Sequence, residues 1–338
     1  MKRLYKYTLT RFLRNFLVII GIFSLVIISS QLLNLPSSVY RTNIFYFLQV
    51  LLFLNLSFFK IQLISSYLIA SILTGYSFRE TREIYAIYST GISKKALFVP
   101  IGLVTVFITI FAYISSFFLV PWANRERSKI YTISVREHLI EEIQEKNFFT
   151  LDKNMVIYVH NKEKYQFNRI FIYNKDKGQI VSAKEGIIKG NGIILKNGFI
   201  QIPQEKSFNA LKFGEYQLFF DIKYVKRYSI NYYKNSELIK IFKSGSQNAF
   251  KALSILVDRF NYGLAFLFLG FLGFAMGIAF YKDRDMLIAI GVVILVVYTA
   301  IGFYFAKLIE KGSINPAFYP IFTVVFLGFL TWYFYRKP

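Results

Sequence analysis

The chain has 338 residues, 55% hydrophobic and only 18% charged, with a formal net charge of +22. A soluble globular chain carries roughly 25% charged residues. The shortfall is concentrated in nearly charge-free windows of about 20 residues, which excludes disorder, a collagen-like chain and a simple cytosolic enzyme, and points to a polytopic membrane protein.

The N-terminus is basic, with Lys2, Arg3, Lys6, Arg11 and Arg14, and an apolar run from Phe16 to about Leu33 follows. That run is longer than a signal-peptide core and no small-residue cleavage pattern follows it, so it predicts a first span that stays in the membrane. The block from Ile44 to Tyr76 would be about 50 Å long as one straight helix, against a hydrocarbon thickness of roughly 30 Å. Lys60 divides it. A second span over 61–78 would carry Lys60 at its outer edge, with an interfacial or tilted piece before it. A polar joint over 79–95 leads to a third apolar run, Ala96 to Val120, closed by Pro121-Trp122, where tryptophan suits the headgroup layer.

From Asn124 the composition turns to Lys, Asn, Glu and Tyr. A charged helix is predicted over Glu126–Lys146. Short alternating runs follow: Met155–His160, Arg169–Tyr173, Ile180–Lys189, Gly192–Ile200, Leu211–Phe213 and Tyr216–Tyr224. Turn signals separate several of them, among them Gly190-Asn191-Gly192 and Lys196-Asn197-Gly198. This spacing predicts an all-β sandwich or jelly roll. Strict alternation turns Ile157, Val159, Phe171, Ile194, Phe199 and Phe219 inward. The interior would be either filled or open along one edge to acyl chains. Apolar runs Tyr262–Phe280, Met286–Ala306 and Ala317–Phe334 close the chain. The expected organisation is three transmembrane helices over 1–123 with a short helix at 79–91, an inserted all-β, jelly-roll-like domain over 124–250, and three more helices over 251–338.

Basic residues near span ends set orientation. The N-terminus, the 79–95 joint, the 281–285 joint and the C-terminus share one face and hold most of them. The short joints of the other face hold Arg41, Lys307 and Lys311. Both termini are therefore expected in the cytoplasm and the β domain outside. In such a chain the basic excess suits anionic lipid; no basic helix stands clear of a span to bind nucleic acid. The sequence has no phosphate-cradling GxxxxGK[ST], no GxSxG and no HExxH. It lacks cysteine, which removes disulfides, thiolate-held metals and thiol catalysis. His138 and His160 are expected as polar surface residues. No catalytic, metal or cofactor residue is predicted.

The most informative segment is the 79–95 joint. Glu83, Ala86, Ile87 and Thr90 recur at i, i+3, i+4, i+7, one face of a helix, and Gly91 is a natural helix stop. The face suits a docked partner or is simply a solvated connector. Lys60, Arg41, Lys307 and Lys311 fall near the outer interface, where they would either bind phosphate or snorkel to lipid. Gly263, Gly270 and Gly277 repeat every seventh residue and Gly273 joins Gly277 in GxxxG, a pattern for close helix packing within the chain or with a second subunit.

The pattern Glu83-Ile84-x-Ala86-x-x-x-x-Gly91-x-Ser93 after the second span resembles the LptF/LptG permease family of lipopolysaccharide export. Pro121-Trp122 and Gly312-Ser313-Ile314-Asn315-Pro316 are similar as well, and the layout agrees over the whole chain. The resemblance implies a non-catalytic permease of the bacterial inner membrane that pairs with a second permease of the same fold. It implies a cytoplasmic ABC ATPase docked on Glu83, Ile84, Ala86, Ile87, Gly91 and Ser93, with Glu83 in the ATPase groove. It also implies that lipopolysaccharide passes from the outer leaflet to a periplasmic jelly-roll bridge. The alternative from the residues themselves is a membrane-anchored scaffold or assembly protein whose β domain binds a periplasmic partner.

Overall fold

The computed structural model describes residues 2–35, 37–40, 44–130, 143–152, 155–163, 166–176, 178–189, 192–204, 207–219, 229–279 and 283–337. The chain divides into a helical unit (Met1–Leu33, Leu52–Arg125, Tyr228–Pro338) and a second unit (Asn34–Leu51, Glu126–Arg227) that carries the sheet. The helices are α1 Lys2–Leu32, α2 Ser37–Tyr40, α3 Ile44–Ser57, α4 Phe59–Glu80, α5 Glu83–Ser89, α6 Lys94–Ile130, α7 Asn235–Lys243, α8 Ala249–Ala279, α9 Arg284–Glu310 and α10 Phe318–Arg336. Among the described residues α1, α4, α6, α8, α9 and α10 are long and apolar enough to cross a membrane.

The centre of the helical unit is the α4–α8 pair. In their most apolar windows 72% of α4 and 78% of α8 is buried, against 11% of α1. The pair is close because glycines face backbone. A Cβ on Gly75 would lie 2.4 Å from the Phe274 carbonyl oxygen, and one on Gly277 would lie 2.3 Å from that of Ile72. Gly270 faces Tyr67 and Thr105, Gly273 faces Leu68 and Ser71, and Gly263 faces the Tyr113 ring. All these glycines meet neighbours inside this chain.

Three helix limits differ from expectation. α1 starts at Lys2, not Phe16, because Leu4, Thr8 and Phe12 form an i, i+4 stripe against the bundle; Thr8 and Phe12 are fully buried. α8 starts at Ala249, not Tyr262, which brings Asp258 and Arg259 onto a spanning helix. α6 continues through Pro121-Trp122 to Ile130 instead of ending there. Proline lacks an N–H and frees the carbonyl four residues back. That carbonyl belongs to Phe117, inside a π-helical turn over Ser115–Leu119, and it accepts a 3.0 Å hydrogen bond from Asn235 Nδ2. Residues 229–250, expected with the β domain, therefore group with the helices, and α7 buries Leu238. The Gly312-Ser313 motif closes α9 with Gly312 at φ 70°: Ser313 N–H donates to Leu308 O and Gly312 N–H to Ile309 O, leaving few carbonyls unpaired.

In the second unit, β1 Phe148–Asp152, β2 Met155–Glu163, β3 Gln166–Asn174, β4 Gln179–Lys189, β5 Gly192–Gln204 and β6 Ser207–Phe219 form one six-stranded antiparallel sheet in sequential order. Each strand pairs antiparallel with the next in sequence, so the described strands form a meander. No crossover, which a two-sheet jelly roll requires, occurs among the described strands. The segment expected as a helix over Glu126–Lys146 is helical from Glu126 to Ile130, but 143–146 is not: Ile143 packs in the core of the sheet and Lys146 turns at φ 59°. Residues 131–142, with His138, lie outside the described part, as do 220–228 at the end of the sixth expected strand.

The expected inward set needs correction. Ile157 and Val159 are fully buried, but Phe199 is 53% exposed and Phe171 and Ile194 are only half-buried; the Phe219 side chain lies outside the described part. The core is Ile157, Val159, Ile170, Ile172, Val181 and Ile200 on one stretch, and Phe167, Ile193, Leu195 and Leu218 on the next. The cause is a row of unpaired residues, Arg169, Lys184 and Asn197, where the ladder is interrupted. Arg169 and Asn197 both have φ 53°. Burial changes parity at that row in β3, β4 and β5 alike. Lys196-Asn197-Gly198, expected as a turn, is thus a kink inside β5. Gly198 is required there, because a Cβ would sit 2.3 Å from the Ser182 carbonyl oxygen.

Candidate functional site: two polar ends of the helical unit

The first candidate lies where α4 gives way to α5. The side chain of Thr81 donates to Ser77 O, and Arg82 takes the left-handed conformation (φ 56°), which ends α4. That conformation costs a non-glycine residue roughly 1–2 kcal/mol. α5 ends at Gly91, φ 79°, whose N–H donates to Tyr88 O; Ser93 Oγ then accepts from Ala96 N–H and starts α6. Gly91 and Ser93 are thus a stop and a cap that isolate a seven-residue helix. Ile84 points into the core, 4% exposed, and Tyr85 and Ala86 face outward.

Glu83 opens α5, where the helix dipole favours a carboxylate. Both its oxygens are engaged by α1. Arg11 Nη2 donates to Oε1 at 3.1 Å and Nη1 to Oε2 at 3.2 Å, while Tyr7 donates to Oε1 at 2.9 Å. Arg11 also bonds Tyr7 and Ser77, and its guanidinium lies over the rings of Tyr7 and Phe78. Burial pushes the Glu83 carboxyl up, but the hydrogen bonds from Tyr7 and Arg11 and the Arg11 charge outweigh it and hold it below the usual carboxylate range. Beside this ion pair is an apolar groove of about 300 Å³ between Leu4, Tyr7 and Phe78 on one side and Glu83, Ala86, Ile87 and Thr90 on the other. The face predicted from the i, i+3, i+4, i+7 spacing is the face that lines it.

The second candidate lies at the opposite ends of the same helices. A cavity of about 510 Å³ opens between the start of α4, the π-turn of α6, the start of α8 and the end of α9. Lys60 pairs with Asp258 at 2.9 Å and lies 4.8 Å from the Tyr262 ring centroid. Lys251 pairs with Glu310 at 3.4 Å. Arg259, 3% exposed, is held by neutral acceptors: Asn235 Oδ1, Asn231 O and Tyr233 O. The buried Ser116 Oγ has no hydrogen-bond partner among the described residues. Lys307 lines the cavity and makes no ion pair among the described residues. Two acids against four cations leave this cavity basic. Of the four expected cations, Lys60 and Lys307 come together here; Lys311 caps α9 away from the lining, and Arg41 lies outside the described residues.

Arg11, Tyr7, Asp258, Arg259 and Ser116 were not foreseen. The Asp258-Arg259 pair in an apolar helix was a readable sign, hidden because the fourth span was expected to begin after it. Nothing local marks Arg11 as the partner of a residue 72 positions away.

The sequence profile of the family described as "Lipopolysaccharide export system permease LptF/LptG" matches residues 6–337, which include both polar ends and the sheet. The chain belongs to this family. No curated protein matches it. In this LptF/LptG-family permease the matched region runs through all six apolar helices, and the Glu83–Ser93 segment lies inside it. The sites therefore belong to the permease body.

Proposed function

We propose that the permease is the membrane subunit of an ATP-driven lipopolysaccharide export complex. A cytoplasmic ABC ATPase docks on α5, and a second permease of the same fold completes the membrane part. The β domain faces the periplasm and hands the lipid to a jelly-roll bridge. The whole-chain family match carries this reading. Charge supports the orientation: Lys6, Arg79, Arg82, Lys94, Lys95 and Arg336 share the end that bears α5. The isolated helix with its apolar groove supports docking, since an ATPase needs a projecting element to push against. Purification of the native complex tests it: a co-purified ATPase and bound lipopolysaccharide are expected, and a particle with neither would overturn it.

The basic cavity is the proposed contact for the lipid head group. Lys60 begins as an ion pair, whereas Lys307 and Arg259 make no ion pair among the described residues and offer charge to a phosphate. A photoreactive phenylalanine analogue at Phe303, which lines the cavity, is expected to give a lipopolysaccharide adduct. Lys307→Ala is expected to lower the adduct yield by about tenfold, the loss of one charge-assisted contact. An unchanged yield would remove the cavity from the lipid path.

A further inference from the structure

We infer that Arg11 and Tyr7 of α1 form a clamp on Glu83 through which a push on α5 is delivered to α1. Arg11 is then a positioning residue of the export cycle, and α1 the element that moves with α5. This rests on the reading of α5 as the ATPase-docking helix.

The argument starts from how α5 is attached. At each end it meets the rest of the chain at a left-handed residue, Arg82 (φ 56°) and Gly91 (φ 79°). Such joints break the helical hydrogen-bond ladder, so neither α4 nor α6 extends stiffly into α5. Ile84, buried, and Ile87, half-buried, anchor α5 to the apolar core. Its charged tie is the two-pronged Arg11–Glu83 contact, reinforced by Tyr7. A paired guanidinium and carboxylate resists both sliding and rotation, because two parallel bonds fix direction as well as distance. Arg11 is itself stiffened by the aromatic rings on which it lies.

The clamp then meets two helices of unequal freedom. α4 is held by α8 through glycine-mediated backbone contact. α1 is the least buried of the spanning helices; it meets α4 at the clamp itself, where Arg11 donates to Ser77 (3.1 Å) and lies over Phe78, and beyond it through Phe12 on Tyr67 and the neutral pairs Asn15–Thr74 (3.2 Å) and Ser24–Gln62 (3.3 Å). Neutral hydrogen bonds are weaker than the charged one. A force entering at α5 therefore displaces α1 against a fixed α4.

The chain has no cysteine, so spin labels can be placed singly. Lys6→Cys on α1, Ser89→Cys on α5 and Glu80→Cys at the end of α4 are all exposed positions. Distances are measured pairwise in the ATPase-bound complex without nucleotide and with ATP trapped. The Lys6–Ser89 distance is expected to stay within about 1 Å, while Lys6–Glu80 and Ser89–Glu80 each shift by about 2 Å or more, a normal helix displacement. With Arg11→Gln the Lys6–Glu80 shift is expected to vanish while Ser89–Glu80 still shifts. A Lys6–Ser89 distance that changes with ATP, or an α1 that stays fixed on α4, would overturn the clamp. If Arg11→Gln prevents assembly, the distances in the Arg11-containing complex decide. An ATPase that does not bind the unmodified permease would overturn the docking reading and the clamp with it. An ATPase that binds while α1 stays still overturns the clamp alone.

Discussion

Gly277→Val is expected to abolish recovery of the folded permease. The added Cβ would lie 2.3 Å from Ile72 O, 2.5 Å from Tyr76 N and 2.9 Å from Gly75 C, all backbone atoms of α4. Backbone cannot swing aside as a flexible side chain can, so α8 would have to withdraw from α4 along the most deeply buried contact of the helical unit. Overpacking of this kind costs about 3 kcal/mol or more, a large share of the stability of a typical domain. Gly21→Val is the control, since a Cβ there meets nothing within 4 Å. The measurement is the yield and thermal transition of monodisperse protein in detergent. A Gly277→Val protein that melts with the parent, within about 2 °C, would show that α4 and α8 do not meet as described.

Glu83→Ala is expected to lower ATPase recovery with the permease by about tenfold or more, while the permease remains folded. The substitution removes the carboxylate that ties α5 to α1 and leaves Arg11 partly buried without its charged partner, a loss larger than that of a surface pair. Unchanged ATPase recovery would refute this. The expected pH dependence follows from the lowered Glu83 carboxyl. A carboxylate whose folded value is depressed contributes in full above its unfolded value and loses that contribution as pH falls through the folded one. Glu83 therefore stays charged across about pH 6–8, and docking should be flat over that window.

The sequence reveals much of this architecture for a plain reason. A bilayer demands long apolar runs, so each span leaves a signal that needs no neighbour to be read. The α5 face was legible in the same way, because Glu83, Ala86, Ile87 and Thr90 encode one surface locally. What was not legible depends on distant partners. Arg11 and Tyr7 of α1, which engage both oxygens of Glu83, carry no local mark of that partnership. Pro121 looked like an end because a proline usually marks one. Asn235 supplies the missing bond from more than a hundred residues away. Lys60 interrupted an apolar block and drew notice, but the acid that balances it, Asp258, gives no hint of the pairing until the helices are assembled.

The unpaired row Arg169, Lys184, Asn197 has a consequence for anyone redesigning the sheet. Tolerance to polar replacement should run in opposite phase on its two sides: along β5, odd positions are the sensitive ones before Asn197, and even ones after it. Excising that single asparagine would merge the two phases into one uniform alternation, with Gly198 and Ile200 still on the packed side and Phe199 still facing water. The row therefore works as a comma in the pattern, and a library drawn up with one uniform alternation would place half its charged substitutions in the oil.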